Sequence, residues 1–265
     1  MFSSLKVLHK NYDLILIFLI RDISSRFKGS YLGIFWMIAT PLFMLAIFTF
    51  IFGEIFKIKW LDIPESKNYF AIILFSGLMI YNFFAESLSK SSTLFLSNTN
   101  YIKKILFPLE ILPVISVLSC AVQLVVTFFV WLIFYLIVVG IPDLSILLFP
   151  IILLPFFFIL TGLTFLFSTL GVFFRDIGSI INVLITMLLF LSPIFYPISI
   201  IPEEYQIYIY MNPVAYQIEI TRDILLWNTL PNLNYFIVYL LSSYVFFSLT
   251  IRYFRKYKDR FIDVI

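Results

Sequence analysis

The chain has 265 residues, of which 62% are hydrophobic and only 12% are charged, whereas a soluble domain is typically about 45–50% apolar and about 25% charged. A soluble fold could not bury so much apolar surface, so the composition predicts an integral membrane protein. The formal net charge of +3 is too small to indicate a nucleic-acid partner, and a single cysteine, Cys120, excludes an internal disulfide framework.

The first thirty residues carry an amphipathic pattern and not a span. Apolar residues recur there at spacings of three and four, while Lys6, Lys10 and Asp13 fall on another face. The apolar residues are Leu5, Leu8, Tyr12, Ile15, Leu16 and Leu19. This pattern predicts a helix lying in the cytoplasmic interface of the membrane. Its role is open between a simple membrane anchor and a helix that moves with a cytoplasmic partner.

Six uncharged intervals follow, and each reaches the ~18 residues that a spanning helix needs. They cover residues 29–53, 68–85, 111–142, 144–174, 177–202 and 224–251. A backbone in lipid must satisfy its own hydrogen bonds, so these intervals are predicted to be helices, the last of them beginning near Tyr235. The predicted fold class is an all-α integral membrane protein with six transmembrane helices.

The distribution of lysine and arginine predicts the orientation. With both termini in the cytoplasm, only Lys57, Lys59, Lys67 and Arg222 lie outside, and the other 14 of the 18 basic residues lie on the cytoplasmic side. Those 14 are Lys6, Lys10, Arg21, Arg26, Lys28, Lys90, Lys103, Lys104, Arg175, Arg252, Arg255, Lys256, Lys258 and Arg260. We therefore predict an interfacial segment (1–30), a six-span bundle (31–251) and a basic cytoplasmic tail (252–265) within one domain.

The loop between the second and third intervals, residues 87–108, is polar. It contains Lys103 and Lys104 and ends in Phe107 and Pro108, and a proline can open the following helix. Two interpretations are open. The loop is either simply solvated, or it forms a short docking helix that a partner contacts through Phe107 and the neighbouring lysines.

The segment 192–234 is rich in proline and tyrosine. Its prolines are Pro193, Pro197, Pro202, Pro213 and Pro231. Prolines break helices, and tyrosine favours the membrane interface. The segment therefore predicts short helices that dip into the outer leaflet, with the charged stretch Glu219–Asp223 kept in contact with water.

Several kinds of site are missing from the sequence. No glycine is followed by lysine, so the chain has no phosphate loop for ATP, and no His/Cys/Asp cluster has the spacing of a metal site. Ionisable residues are nearly absent from the centres of the intervals, which argues against an ion-coupled transporter. If transport is active, its energy is expected to enter through another subunit.

Three stretches together resemble the permeases of type 2 ABC exporters for polysaccharides. The first is RDISSRFKGSYLG (Arg21–Gly33), followed by Trp36 and Pro41. The second is Asn98–Pro113, which contains the lysine pair and FPLEILP. The third is SPIFYP (192–197), followed by Met-Asn-Pro at 211–213. The resemblance covers nearly the whole chain in the same order.

The resemblance implies an export subunit and not an enzyme. Such permeases are homodimers in the bacterial inner membrane, and they carry two cytoplasmic ATP-binding subunits that hold the ATP and magnesium, so no cofactor is expected on this chain. The implied cargo is an O-antigen, capsule or teichoic-acid chain, often attached to a lipid carrier. The interfacial helix and the second loop would contact the ATPase, and the stretch between the fifth and sixth spans would form an outer gate.

The resemblance also assigns candidate residues. The candidates for ATPase docking are Asn98, Lys103, Lys104, Phe107 and Pro108. The candidates for admission of the substrate and its lipid phosphate at the cytoplasmic face are Arg21, Arg26, Lys28, Ser30, Gly33 and Trp36. The candidates for the outer gate are Pro193, Tyr196, Pro197, Asn212 and Pro213. For Arg26 and Lys28, anchoring to lipid headgroups is an alternative to binding a lipid-linked pyrophosphate.

Two competing functions are weighed against polysaccharide export. One is a type 2 exporter of a drug, antibiotic or lipid, although members of that group often carry a larger outer domain. The other is a membrane enzyme acting on lipids, which would need clustered polar catalytic residues near one interface. The outer carboxylates that could form such a cluster are better explained as a solvated rim; they are Glu203, Glu204, Glu219 and Asp223.

Overall fold

The computed structural model describes residues 11–26, 28–51, 67–102, 107–174 and 176–264. Regular structure within these ranges is helical, without a strand, which confirms the predicted all-α class. The helices are α1 (Tyr12–Arg26), α2 (Trp36–Phe48), α3 (Lys67–Ser91), α4 (Thr99–Ile102), α5 (Ile111–Val138), α6 (Phe149–Phe173), α7 (Ile177–Leu191), α8 (Glu203–Tyr210), α9 (Pro213–Leu225), α10 (Leu233–Tyr257) and α11 (Phe261–Val264).

Five helical stretches among the described residues are long and apolar enough to cross a membrane. They are Gly33–Ile51, Tyr69–Ser91, Ile111–Val138, Leu144–Phe173 and Leu233–Arg260. Each falls on one of the predicted spans, because long uncharged sequence in lipid has no alternative to helix. The second stretch runs beyond the predicted limit at residue 85, and the last runs beyond the predicted limit at residue 251.

The fifth predicted span is shorter than expected. Its helix, α7, has 15 residues, a length of about 22 Å against the ~30 Å of a hydrocarbon core. Ser192 is extended, with ψ of 145°, because the ring of Pro193 disfavours a helical residue before it. Six helices of spanning length are therefore not confirmed, and the chain beyond α7 forms turns and the short helix Ile198–Ile200.

The second span, α3, is the centre of the bundle. Of the most apolar stretch of this span, 83% is buried inside the protein, against 22% for the first span and 17% for the last. The first and last spans therefore present most of their surface to lipid or to a partner. Helices α5, α6, α7 and α9 all pack on α3. The Trp131 indole donates to the Ile72 carbonyl at 3.0 Å, and the Tyr81 hydroxyl donates to Ile185 at 2.7 Å.

The two ends of the helix bundle differ in their chemistry. The basic end contains α1, the described parts of residues 91–110, and the chain after Tyr257; a separate apolar cluster fills it. The proline end contains residues 192–232, between α7 and α10. These two ends carry the candidate functional residues.

Candidate functional site

Helix α1 and the loop between the second and third spans form one surface at the basic end. The ring of Phe18 on α1 lies 5.1 Å from Tyr101 on α4 and 5.4 Å from Phe107, and those two rings are 4.9 Å apart. The Arg21 guanidinium lies 4.2 Å from the centre of the Phe18 ring and donates to the Tyr101 hydroxyl. Phe107 is therefore half-buried in this cluster, and the cluster joins α1 to the loop.

The burial pattern of α1 differs in part from the predicted one. Ile15 and Phe18 are buried against the protein, whereas Tyr12 and Leu16, which belong to the predicted apolar face, are exposed. The helix therefore has two apolar faces, one for the bundle and one suited to lipid. Leu5 and Leu8 lie outside the described residues.

We call residues 91–110 the docking segment, of which 103–106, including Lys103 and Lys104, lie outside the described residues. The Asn98 side-chain amide donates to the Leu94 carbonyl at 2.9 Å and so closes the turn ahead of α4. The Pro108 carbonyl accepts from Ile111 at 3.1 Å, where α5 begins. The segment therefore forms short helical turns in its described part, and contact of a partner with it stays a prediction.

A close backbone approach fixes the start of the docking segment. A Cβ on Gly171, near the end of α6, would lie 2.1 Å from the Ser92 carbonyl oxygen. Real Cβ atoms are not found at that distance, so only glycine lets the segment pass this close to α6. Gly178 on α7 faces the same residue at a looser 3.5 Å from the Ser92 hydroxyl.

Arg26 lies in a network of charges between α1, α3 and α5. Its guanidinium pairs with Glu86 at 2.5 Å and donates to the Ser119 hydroxyl, and Ser119 donates to Asp22. Lys90 pairs with Glu86 at 3.0 Å. The two cations and two carboxylates balance, and the Arg26 side chain is only 15% exposed. In this conformation Arg26 therefore fastens α1 to the bundle.

The other admission candidates are not gathered into one site. Lys28, Ser30 and Trp36 are exposed, while Arg21 belongs to the aromatic cluster described above. Gly33 has a φ of +52°, in the left-handed region that favours glycine, and it starts the turn into α2. The structure thus separates candidates with an internal partner from Lys28, which presents its charge outward.

Arg222 organises the proline end. The expectation that the stretch Glu219–Asp223 stays in contact with water is wrong for this residue. Its side chain is 1% exposed. The guanidinium donates to the carbonyls of Pro193 at 2.5 Å and Ile194 at 2.9 Å, and it pairs with Glu219 at 3.0 Å. These acceptors replace water, which is why a cation can be buried here. Gly77 on α3 leaves room for it, because a Cβ there would lie 2.9 Å from the guanidinium.

The gate candidates lie around this arginine. Asn212 caps α9 by accepting from the Val214 amide at 3.0 Å, and its amide donates to the Ser192 hydroxyl at 3.0 Å. The Tyr196 hydroxyl donates back to the Phe190 carbonyl at 2.8 Å. Pro193 contributes the carbonyl that Arg222 binds, and Pro213 opens α9. The five gate candidates, Pro197 included, therefore all lie between the end of α7 and the first residue of α9.

A cavity of about 730 Å³ opens beside this turn. Its lining includes Glu203, Gln206, Tyr210, Glu219 and Arg222. Burial, and then the charge of Glu219, raise the pKa of Asp223 in α9 from its ordinary 3.8 to about 6. No group of three or more possible metal ligands occurs among the residues that the structure describes.

Sequence reasoning missed Arg222 as a structural residue, although a signal existed. Its neighbours one turn away on the same helix are Ile218 and Leu225, which are buried. An arginine on an apolar helical face points to buried acceptors elsewhere, but the sequence does not say which carbonyls supply them.

Apolar helices of spanning length, an amphipathic helix at one end and short proline-capped helices at the other define the class of multi-pass membrane proteins. Residues 13–226 match the ABC-2 type transporter family, and the chain belongs to that family. It is a membrane permease and not an enzyme, and the resemblance seen in the sequence is confirmed.

Curated relatives cover nearly the whole chain. Two O-antigen export system permease proteins RfbA of Klebsiella pneumoniae are 29% and 30% identical to it, each over 96% of this chain and 95% of their own length. The polysialic acid transport protein KpsM of Escherichia coli is 26% identical over 77% of this chain and 78% of its own length.

Proposed function

We propose that this chain is the permease subunit of an ATP-driven exporter that moves a lipid-linked cell-surface polysaccharide out of the cytoplasm. The observation that carries the proposal is the similarity over 95% of their own length to relatives named for O-antigen export, joined by one named for polysialic acid transport. Family membership alone would also allow a drug or lipid cargo. Relatives that share a polysaccharide cargo favour that cargo here.

The chain works as a homodimer with two ATP-binding subunits. The apolar faces of α2 and α7 support this arrangement, since they are exposed in the single chain and suit a second copy as well as lipid; examples are Phe43, Val183, Met187 and Phe190. ATP and magnesium belong to the partner subunits. This chain makes and breaks no covalent bond.

The basic end faces the cytoplasm, in keeping with the excess of lysine and arginine there. The ATPase binds the joint surface of α1 and the docking segment. Its movement reaches α1 through Phe18, Arg21 and Tyr101, whose contacts tie the two segments together. Lys28 is an exposed cation near this face that could meet the phosphate of a lipid carrier, whereas Arg26 would first have to leave Glu86.

The proline end faces outward and acts as the gate. The turn at Pro193 and Ile194 is held to α9 by Arg222, which would keep this part of the gate in a fixed shape. ATP binding and hydrolysis in the partner would alternately separate and close the two protomers, and the polymer would pass between them.

Deletion of the gene in its own host tests the proposal. Surface glycan and the cytoplasmic pool of lipid-linked glycan are measured in the deletion strain and in the same strain complemented with the intact chain. We expect surface polymer to vanish and lipid-linked polymer to accumulate inside, with both reversed by complementation. Normal levels in both pools would overturn polysaccharide export and leave drug or lipid export.

A further inference from the structure

The chain folds back on the bundle after its last spanning helix. Beyond Tyr257 it forms a 3-10 turn, Lys258–Arg260, and then α11. Phe261, the first residue of α11, has no exposed surface. The stretch predicted as a basic tail is therefore helical through Val264 and packed on the bundle at Phe261, and we call Lys258–Val264 the carboxyl-terminal strut.

The strut contacts the beginning of the docking segment. The Phe261 ring lies 5.0 Å from Phe95, 5.8 Å from Phe254 and 5.9 Å from Phe173. Phe95 also stacks on Phe254 at 5.6 Å and is 1% exposed. Phe261 therefore fills a socket built from the docking segment, α6 and α10.

The strut also contacts the end of the docking segment. The Lys258 ammonium donates to the Glu110 carboxylate at 3.0 Å, and the Arg255 guanidinium lies 4.0 Å from the same oxygen. Glu110 is 8% exposed and stands directly before α5. An ion pair at a partly buried carboxylate is screened less than one at the surface, so this contact links the strut to the end of the docking segment.

We propose that the carboxyl-terminal strut positions the docking segment for the ATPase, by holding Phe95 near one end of it and Glu110 at the other. The inference rests on the proposed function, which supplies the ATPase. Anchoring the two ends of the segment restricts those ends before the partner arrives, and such pre-organisation raises affinity. If a support is removed, the competent conformation is populated only part of the time, and apparent affinity falls in proportion.

The test is retention of the ATPase by the full-length permease. The tagged chain is co-expressed with the ATP-binding subunit of its own transporter and purified in detergent, and the amount of ATPase per permease is measured. We expect Phe261→Ala to lower that ratio by about tenfold, the effect of a docking-competent population near one tenth. Phe261→Leu, which refills most of the socket, should restore most of it.

Phe156→Ala is the matched control. Phe156 is equally buried but lies in the other apolar cluster, against Phe83, and not in the socket of Phe261. This variant should lose thermal stability and keep the wild-type ATPase ratio. An equal loss of ATPase from both alanine variants would show that Phe261 acts only through general stability, and the inference would fall.

If Phe261→Ala does not accumulate in the membrane, a charge variant tests the role of the strut instead. Lys258→Ala should lower the ATPase ratio severalfold, while Lys256→Ala, at an exposed position two residues earlier, should not. Wild-type retention in Lys258→Ala would refute the role of the strut. If the unmodified chain itself retains no ATPase, the proposed function fails, which is a different result from failure of the strut alone.

Discussion

The two ends of the molecule hold their cations in different ways. At the basic end, Arg26 and Lys258 pair with carboxylates on other helices, and both side chains keep some contact with solvent. At the proline end, the fully buried Arg222 is held mainly by backbone carbonyls. A partly exposed ion pair can exchange a partner for water at modest cost, whereas a buried cation cannot. The basic end is therefore suited to adjustment and the proline end to a fixed connection.

The largest effect is expected from Arg222→Met. The carbonyls of Pro193 and Ile194 would lose their buried donor, and an unsatisfied buried polar group costs about 1–3 kcal/mol. We expect the free energy of unfolding to fall several times more than it does for a surface substitution. The change should appear as a lower thermal unfolding midpoint of the purified protein and as a loss of surface polysaccharide.

Two further variants sharpen the test of Arg222. Arg222→Lys should be intermediate, because an ammonium lacks the planar fork that reaches two carbonyls and Glu219 together. Arg252→Met, at an exposed arginine of α10, should be neutral. If Arg222→Met unfolds at the wild-type midpoint, the distinction between the two ends is wrong.

Gly171→Ala should have the next largest effect. Its Cβ would collide with the backbone oxygen of Ser92, so either α6 or the docking segment must shift. Overpacking of this kind costs about 1–3 kcal/mol, and we expect reduced thermal stability together with reduced ATPase retention.

Gly178→Ala provides the matched comparison for that variant. It faces the same serine, but its Cβ would be 3.5 Å from the Ser92 hydroxyl, which is an ordinary contact. Because alanine is favoured over glycine inside a helix, it should be tolerated or stabilise the protein by up to about 1 kcal/mol. Equal behaviour of the two alanine variants would contradict the close approach seen at Gly171.

A smaller effect is expected in the charge network of the basic end. Arg26→Gln should lower stability by about 1–2 kcal/mol, within the range of coupled charge networks, and a double-mutant cycle with Glu86→Gln should show their coupling. Lys28→Gln should leave stability unchanged, since the side chain is exposed. Reduced export in Lys28→Gln with intact dimer assembly would support contact with a lipid phosphate, and unchanged export would remove that role.

The smallest effect concerns pH at the proline end. The folded-state pKa of Asp223 is about 6, above its ordinary 3.8, so the folded protein binds the proton more tightly than the unfolded chain does. The resulting stabilisation is complete below about pH 4 and is lost as the pH rises through 6. As the pH is raised from 5 to 7.5, the thermal unfolding midpoint should therefore fall in the wild type and change less in Asp223→Asn. Parallel curves for both proteins would refute this.

The spans were predictable because they depend on a property that the sequence displays directly. Long uncharged stretches must be helices in lipid, and five of the six intervals yielded helices of spanning length. The fifth failed because Pro193 was counted inside its interval, although the residue before a proline is disfavoured in a helix. The prediction placed the end of this span at the next charged residue, whereas the backbone geometry at the proline ends the helix earlier.

The contacts that organise the candidate site were not predictable in the same way. The sequence marked Phe107 and Asn212 as partner-contact and gate candidates, but not their partners, because Phe18 lies 89 residues away from Phe107 in the chain. Arg222 was misplaced because charge alone suggests water. The acceptors that bury it are carbonyls of Pro193 and Ile194, and a carbonyl is present at every residue and leaves no trace in the sequence.

The burial of Arg222 also limits how the proline end can move. A cation with no water to return to keeps its carbonyl partners, so we expect the turn at Pro193 and helix α9 to stay together in every conformation of the protein. This unit begins after Ser192, in extended backbone at the end of α7, and ends before the connection to α10, where Asn228 has a φ of +51°.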